Sequence, residues 1–115
     1  LSKNKNGRVL INSSNSVVVT PEIPLEPVEA LLAMDKAKAI KLMSKYPHWT
    51  YQVSKTAITF WARKAASSWA ESGISMNILA PGAVLTPLIE NDLKDARKAA
   101  GINMLPKPLG SIPKP

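Results

Sequence analysis

Two short apolar runs, Val9-Leu10-Ile11 and Ile74 to Ala80, bracket a long stretch with helical periodicity, and this arrangement most constrains the fold. The first run follows Gly7-Arg8 and leads into Asn12-Ser13-Ser14; the second is broken by Pro81-Gly82. Short β-branched runs without alternation suit strands buried on both faces of a parallel sheet. Two such strands joined through helices imply a right-handed parallel crossover. The expected order is strand 8–14, helices 27–45 and 51–72, strand 74–80 and helix 87–100, an α/β arrangement. Two strands do not make a stable doubly wound sheet, so both read as members of a larger one.

The connecting segments carry their own signals. Thr20 to Pro27 holds Pro21, Pro24 and Pro27 and reads as an irregular connection, with Pro27 as the first residue of a helix. Val28, Leu31, Leu32, Ala39, Leu42 and Met43 follow at helical spacing, with Asp35 interrupting the apolar stripe. Tyr46-Pro47 ends that helix. A second helix, rich in Ala and Ser, runs from about Tyr51 to Glu71, and Gly73 stands where a left-handed cap is expected. Thr86 is the N-cap of a third helix with Pro87 at its first position, and Gly101 is its expected C-terminal cap.

Composition narrows the classes of function. The 115 residues give room for one small domain, and 45% hydrophobic content is that of a globular chain. Cysteine is absent and His48 is the single histidine, so disulfides, thiolate sites and multi-histidine metal sites are excluded within the chain. No stretch is long and apolar enough to span a bilayer, and Leu1 to Arg8 has no signal-peptide core, so the expected location is cytoplasmic. The net charge of +7 suggests a polyanion partner at first. The lysines and arginines are scattered over helix faces and the two ends, however, and no basic run is interleaved with aromatics. The expectation is therefore no nucleic acid and no membrane partner.

Three elements carry chemistry. Tyr51 and Lys55 are four apart on a helix, so their side chains point within about 40° of each other. A phenol ordinarily titrates near pH ~10, and a neighbouring ammonium stabilises the phenolate, which suits a phenol to proton transfer near neutrality. Ser14 stands where a strand meets a loop, the end of an α/β sheet at which ligands bind, and a hydroxyl there can hold a reacting oxygen. Ser13 and Ser16 are rivals for that role, and loop serines also simply close turns. Pro81-Gly82 to Thr86-Pro87 follows the second strand, and its backbone amides with the Thr86 hydroxyl suit an amide or a phosphate. His48 and Trp49 lie just before Tyr51, as a solvated loop or as substrate contacts, while Trp61 and Trp69 share a broad helix face suited to packing.

Ser14, Tyr51-x-x-x-Lys55, Asn77-x-x-x-Pro81-Gly82 and Thr86-Pro87 occur in the order of the short-chain dehydrogenase/reductase family, and residues from about Gly7 to Gly110 resemble its C-terminal part. The resemblance implies the C-terminal portion of a doubly wound parallel-sheet Rossmann fold, with the N-terminal half and last strand absent. It implies an oxidoreductase that interconverts an alcohol and a ketone or aldehyde by hydride transfer, with NAD or NADP as cofactor. Tyr51 would be the acid/base, Lys55 would bind the nicotinamide ribose, and Ser14 would position the substrate oxygen. Pro81, Gly82, Val84 and Thr86 would contact the nicotinamide, and Asn77 would be structural. A small-molecule alcohol or carbonyl substrate and a homo-oligomer are implied for the intact protein.

Two departures qualify this. The gap from Ser14 to Tyr51 is 37 positions, longer than in most of the family. The insertion, with Trp61 to Gly73 and Ala80 to Ala83, is similar to a branch resembling bacterial 3α-hydroxysteroid dehydrogenase/carbonyl reductase, and suits a bulky apolar substrate. The glycine-rich dinucleotide loop is missing, since Gly7, Gly73, Gly82, Gly101 and Gly110 are isolated. The chain alone is therefore expected to be inactive, and a catalytically inactive half-domain acting as an interaction module is the alternative.

Overall fold

The structure, a computed structural model, describes residues 6–107 and 110–115. The chain order is β1 (Gly7–Asn12), α1 (Ser16–Val19), α2 (Leu25–Leu32), α3 (Lys36–Lys45), a 3₁₀ turn (Pro47–Trp49), α4 (Thr50–Glu71), β2 (Ile74–Leu79), α5 (Pro87–Asp92) and α6 (Ala96–Asn103). β1 and β2 pair in parallel, from Gly7 opposite Ile74 to Asn12 opposite Leu79. The parallel α/β crossover read from the two apolar runs is thus present, with four helices between its strands.

Both strands alternate in burial. Gly7 and Ile74 are buried, Val9, Ile11, Met76 and Ile78 are half-buried, and Arg8, Leu10, Asn12, Ser75, Asn77 and Leu79 are exposed. One sheet face lies under α4, which sits chiefly across β2. The other face is bare among the described residues, with Leu10 65% and Leu79 51% exposed. Strands buried on both faces are therefore not what this chain builds by itself.

The core lies between helices. Val28 of α2 meets Val53 and Ala57 of α4, with Ile23, Leu31, Met43 and Trp49 packed around them. Ala30, Ala39 and Leu42 join α2 to α3, again against Leu31. Alanines at these contacts let the two short helices α2 and α3 pack closely on each other and on α4.

The single helix expected over 27–45 is two. Met34 turns left-handed at φ 59°, and the Asp35 carboxylate caps α3 by accepting the Lys38 N–H at 3.0 Å. A carboxylate at this position satisfies one of the orphan amides of a helix start, so the Asp35 that interrupts the apolar stripe begins a second helix. The helix expected over 87–100 is broken in the same way: Asp95 accepts from the Arg97 and Lys98 N–H groups and starts α6. Gly101 consequently lies inside α6 and does not cap it. The strand expected over 8–14 stops at Asn12, and the unanticipated α1 follows. Gly73 does adopt the left-handed conformation past α4, at φ 75°, and Thr86 with Pro87 does start α5.

Two measurements check this account. Gly73→Ala meets no steric neighbour within 4 Å, so its cost is the backbone strain of a left-handed residue, about 1 kcal/mol, read from the denaturation midpoint. The backbone N–H groups of Lys98 and then Arg97 hold the Asp95 carboxyl below its ordinary range. A depressed folded pKa stabilises above the unfolded value of about 3.9 and that contribution is lost as pH falls through the lower folded value. Amide shifts of Arg97 and Lys98 should therefore hold to acid pH and then report fraying of α6, while Asp95→Asn removes this titration.

Candidate active site

The helix α4 carries Tyr51 and Lys55 one turn apart on one side, as their spacing requires. The Lys55 Nζ lies 5.9 Å from the centroid of the Tyr51 ring. The same ammonium donates to the carbonyl oxygen of Asn12 at 2.8 Å, which ties the helix to the C-terminal end of β1. An ammonium has three donors, and among the described residues it makes this one bond, so two remain for a ligand. Tyr51 is 55% exposed, and its phenol stands open to solvent beside that cation.

The serine turn sits next to this tether. The pairing of the strands continues past their ends: the Ser13 N–H donates to Leu79 O at 2.7 Å and the Asn15 N–H to Pro81 O at 3.2 Å. These two bonds bring the serine turn against the start of the 81–86 loop. The three candidate serines then separate by environment. Ser13 is 4% exposed and hydrogen-bonds Thr59 of α4 at 2.5 Å. Ser14 is half-buried, and its Oγ accepts from the Ser16 hydroxyl at 2.9 Å and the Ser16 N–H at 3.2 Å. Ser16 is thus a donor to Ser14, and the hydrogen of the Ser14 hydroxyl remains to be given away.

The loop after β2 completes the surroundings. Pro81, Gly82 and Val84 are exposed, and Thr86 is half-buried. The Thr86 Oγ1 accepts from the Ile89 N–H at 3.5 Å, capping α5. The Leu85 N–H donates to Pro113 O at 2.7 Å, so the final segment lies against this loop. Asn77 points to the bare sheet face, and His48 is exposed in the 3₁₀ turn. Trp49, half-buried, packs on the core cluster, while Trp61 and Trp69 meet edge to face at 5.9 Å.

Two features were not read from the sequence: the Asn12 carbonyl as the anchor for Lys55, and the Ser13–Thr59 bond. Main-chain acceptors have no sequence signature, but Ser13 had one. It continues the odd-numbered face of β1, with Gly7, Val9 and Ile11, toward α4.

Comparison with known proteins bears on the family and the fold. The family model described as enoyl-(acyl carrier protein) reductase matches residues 18–114, most of the chain. The chain belongs to the short-chain dehydrogenase/reductase family. The 3-alpha-hydroxysteroid dehydrogenase/carbonyl reductase of Comamonas testosteroni is 40% identical over 65 residues, covering 56% of this chain and 25% of that protein. The D-arabinitol 2-dehydrogenase [ribulose-forming] of Candida albicans is 42% identical over 45 residues, 39% of this chain and 16% of the enzyme. The crystal structure of the 3-alpha-hydroxysteroid dehydrogenase from Pseudomonas sp. B-0831 complexed with NADH matches with a TM-score of 0.83 and 35% identity. That match covers 99% of this chain and 46% of the other. This family member thus spans under half the length of the solved enzyme it matches and a quarter of the curated one.

Among the described residues no helix is long and apolar enough to cross a membrane, and no group of three or more His, Asp or Glu is placed to hold a metal ion.

The capping geometry at the loop gives a direct test. Thr86→Val removes a long hydrogen bond, so α5 should lose stability at the low end for an N-cap, about 0.5–1 kcal/mol, visible as faster amide exchange at Ile89.

Proposed function

We propose that this chain is the catalytic portion of an NAD(P)-dependent oxidoreductase that interconverts an alcohol and a ketone or aldehyde. The observation that carries this reading is the Lys55 ammonium, held by the Asn12 carbonyl at a strand end with the Tyr51 phenol beside it. A bound nicotinamide cofactor supplies or accepts the hydride at the substrate carbon. The donor set fits the nicotinamide-ribose end of such a group: two free N–H donors on Lys55 among the described residues, and the loop of Pro81, Gly82, Val84 and Thr86, joined to the serine turn by the Asn15 N–H bond to Pro81 O. The isolated glycines offer no comparable cradle for a pyrophosphate.

In the reducing direction Tyr51 gives its phenolic proton to the carbonyl oxygen, and in the oxidising direction its phenolate takes the alcohol proton. Ser14, its oxygen already accepting two hydrogen bonds from Ser16, donates its own hydrogen to the substrate oxygen. Backbone groups of the 81–86 loop orient the carboxamide.

The substrate is a bulky apolar ketone or its alcohol. The insertion, α2 with α3, stands directly before the turn that leads into Tyr51 and supports that reading. It is not a detachable cover, because Val28 is 1% exposed against Val53 and Ala57, so deleting 22–45 would open the core. The intact enzyme is a homo-oligomer that works in the cytoplasm. A groove of about 480 Å³ between the end of α2 and α4, lined by Leu32, Phe60, Trp61, Lys64, Ala65 and Ser68, suits subunit contact. The bare sheet face with Leu10 and Leu79 supports the view that further strands and helices complete the fold.

In the complete protein, Tyr51→Phe should lower kcat by roughly 10²–10⁴-fold with cofactor affinity kept. Ser14→Ala should lower kcat by about 10²-fold or more. Wild-type turnover by Tyr51→Phe would refute the assigned acid/base. Comparison of kcat/KM for a steroid ketone and a three-carbon ketone tests the substrate class: the bulky one should be preferred, and equal values would remove that reading.

A further inference from the structure

We infer that Ser13 and Thr59 are a positioning pair that sets the Lys55 ammonium; the inference rests on the role proposed above for Lys55. Thr59 lies one helical turn beyond Lys55 on the same side of α4. Its hydroxyl donates to the Lys55 carbonyl oxygen at 2.7 Å. A hydroxyl has one hydrogen, so with that hydrogen committed Thr59 accepts, and Ser13 is the donor in their 2.5 Å bond. The direction of the network is therefore fixed: Ser13 to Thr59 to the backbone of Lys55.

Ser13 is held on its other side too, through its N–H to Leu79 O at 2.7 Å. One residue thus joins β1, β2 and α4. Directly beside it, Asn12 O receives the Lys55 Nζ at 2.8 Å. Two successive strand-end residues, Asn12 and Ser13, are bonded to two residues one turn apart on the helix, Lys55 and Thr59. A lysine has four methylenes between backbone and charge, and a single bond at its tip leaves its backbone free to slide or roll. The second bond, made near the backbone, removes that freedom. It fixes the height and rotation of α4 against β1, and so the direction in which the two spare N–H donors of Lys55 point.

Burial strengthens the pair. Ser13 is 4% exposed, so its hydroxyl has little water to turn to when Thr59 is lost. Neither side chain has a free donor to offer a substrate, which separates their role from that of Ser14.

The test is made on the complete protein with Thr59→Val, which keeps shape and removes the hydroxyl, Ser13→Ala, and Thr59→Ser, which restores it. Gly73→Ala, at the far end of α4, serves as a control destabilised without touching the pair. Amide hydrogen exchange at Ser13 and Asn15 and titration with NADH and NADPH are the readouts. Thr59→Val and Ser13→Ala should speed exchange at both amides and weaken dinucleotide affinity by about five- to tenfold, the worth of one part-buried hydrogen bond. Thr59→Ser should stay within about twofold of wild type, and Gly73→Ala should leave affinity unchanged. Unchanged exchange in Thr59→Val overturns the pair. Faster exchange with wild-type affinity, or an equal affinity loss in Gly73→Ala, reduces it to ordinary stability and overturns the positioning role. If the wild-type protein binds neither dinucleotide, the proposed function fails by itself, and exchange alone then decides whether the lock exists.

Discussion

The angular placement of side chains around α4 is the constraint on which the rest depends. Val53 and Ala57 form one pair a turn apart, and Tyr51 and Lys55 another. The pairs are two residues out of phase, so they point to nearly opposite sides of the helix, about 160° apart. Packing Val53 at 0% exposure against Val28 sets the rotation of the helix toward α2, and the bonds to Asn12 and Ser13 set it against β1. With that rotation fixed, Tyr51 and Lys55 can only face away from α2. Stability and chemistry are set by the same helix through different faces, and a change in the α2 contact reaches the site without touching it. The insertion accordingly acts first as a support, whatever it does for substrate.

Much of the site was legible because its residues sit at positions with local signatures. Four-residue spacing put Tyr51 beside Lys55, and Thr86-Pro87 announced a helix start that the structure contains. The misread helices have a common physical cause. Asp35 and Asp95 are both N-caps inside stretches read as single helices. Periodicity averages over several turns and does not register one left-handed residue, whereas a carboxylate followed by free amides does. Asp35-Lys36-Ala37-Lys38 and Asp95-Ala96-Arg97-Lys98 share that pattern of acid before base at a helix start. The two-faced burial expected of the strands depended on partners that the described residues do not include, and no local pattern reports those.

Family membership and geometry bear on different links of the argument. The matches establish which fold the residues belong to, and they rest on most of the chain. They do not say which of three neighbouring serines handles a substrate oxygen. The proposal for Ser14 rests on hydrogen-bond direction: Ser13 gives its hydrogen to Thr59 and Ser16 gives its own to Ser14. The Ser14 hydroxyl alone accepts twice and still has a hydrogen to donate. An oxygen that already accepts polarises its own O–H bond, which strengthens the bond it gives.

The scattered positive charge follows the same logic of place over total. Lys55 is half-buried, bound at a carbonyl and set beside an aromatic ring. Lys36, Lys38, Lys41 and Lys45 are exposed along α3, where water screens them. Lys98 pairs with Asp92 at 2.6 Å on the surface and is raised above its ordinary range by that contact. A raised lysine contributes at pH values below its unfolded titration and loses the contribution only as pH climbs through the folded one, far above neutrality. What sets Lys55 apart is therefore not a carboxylate partner but its place, held at a strand end beside a phenol. By that criterion Lys55 differs from the others through its surroundings, not through the net charge of +7.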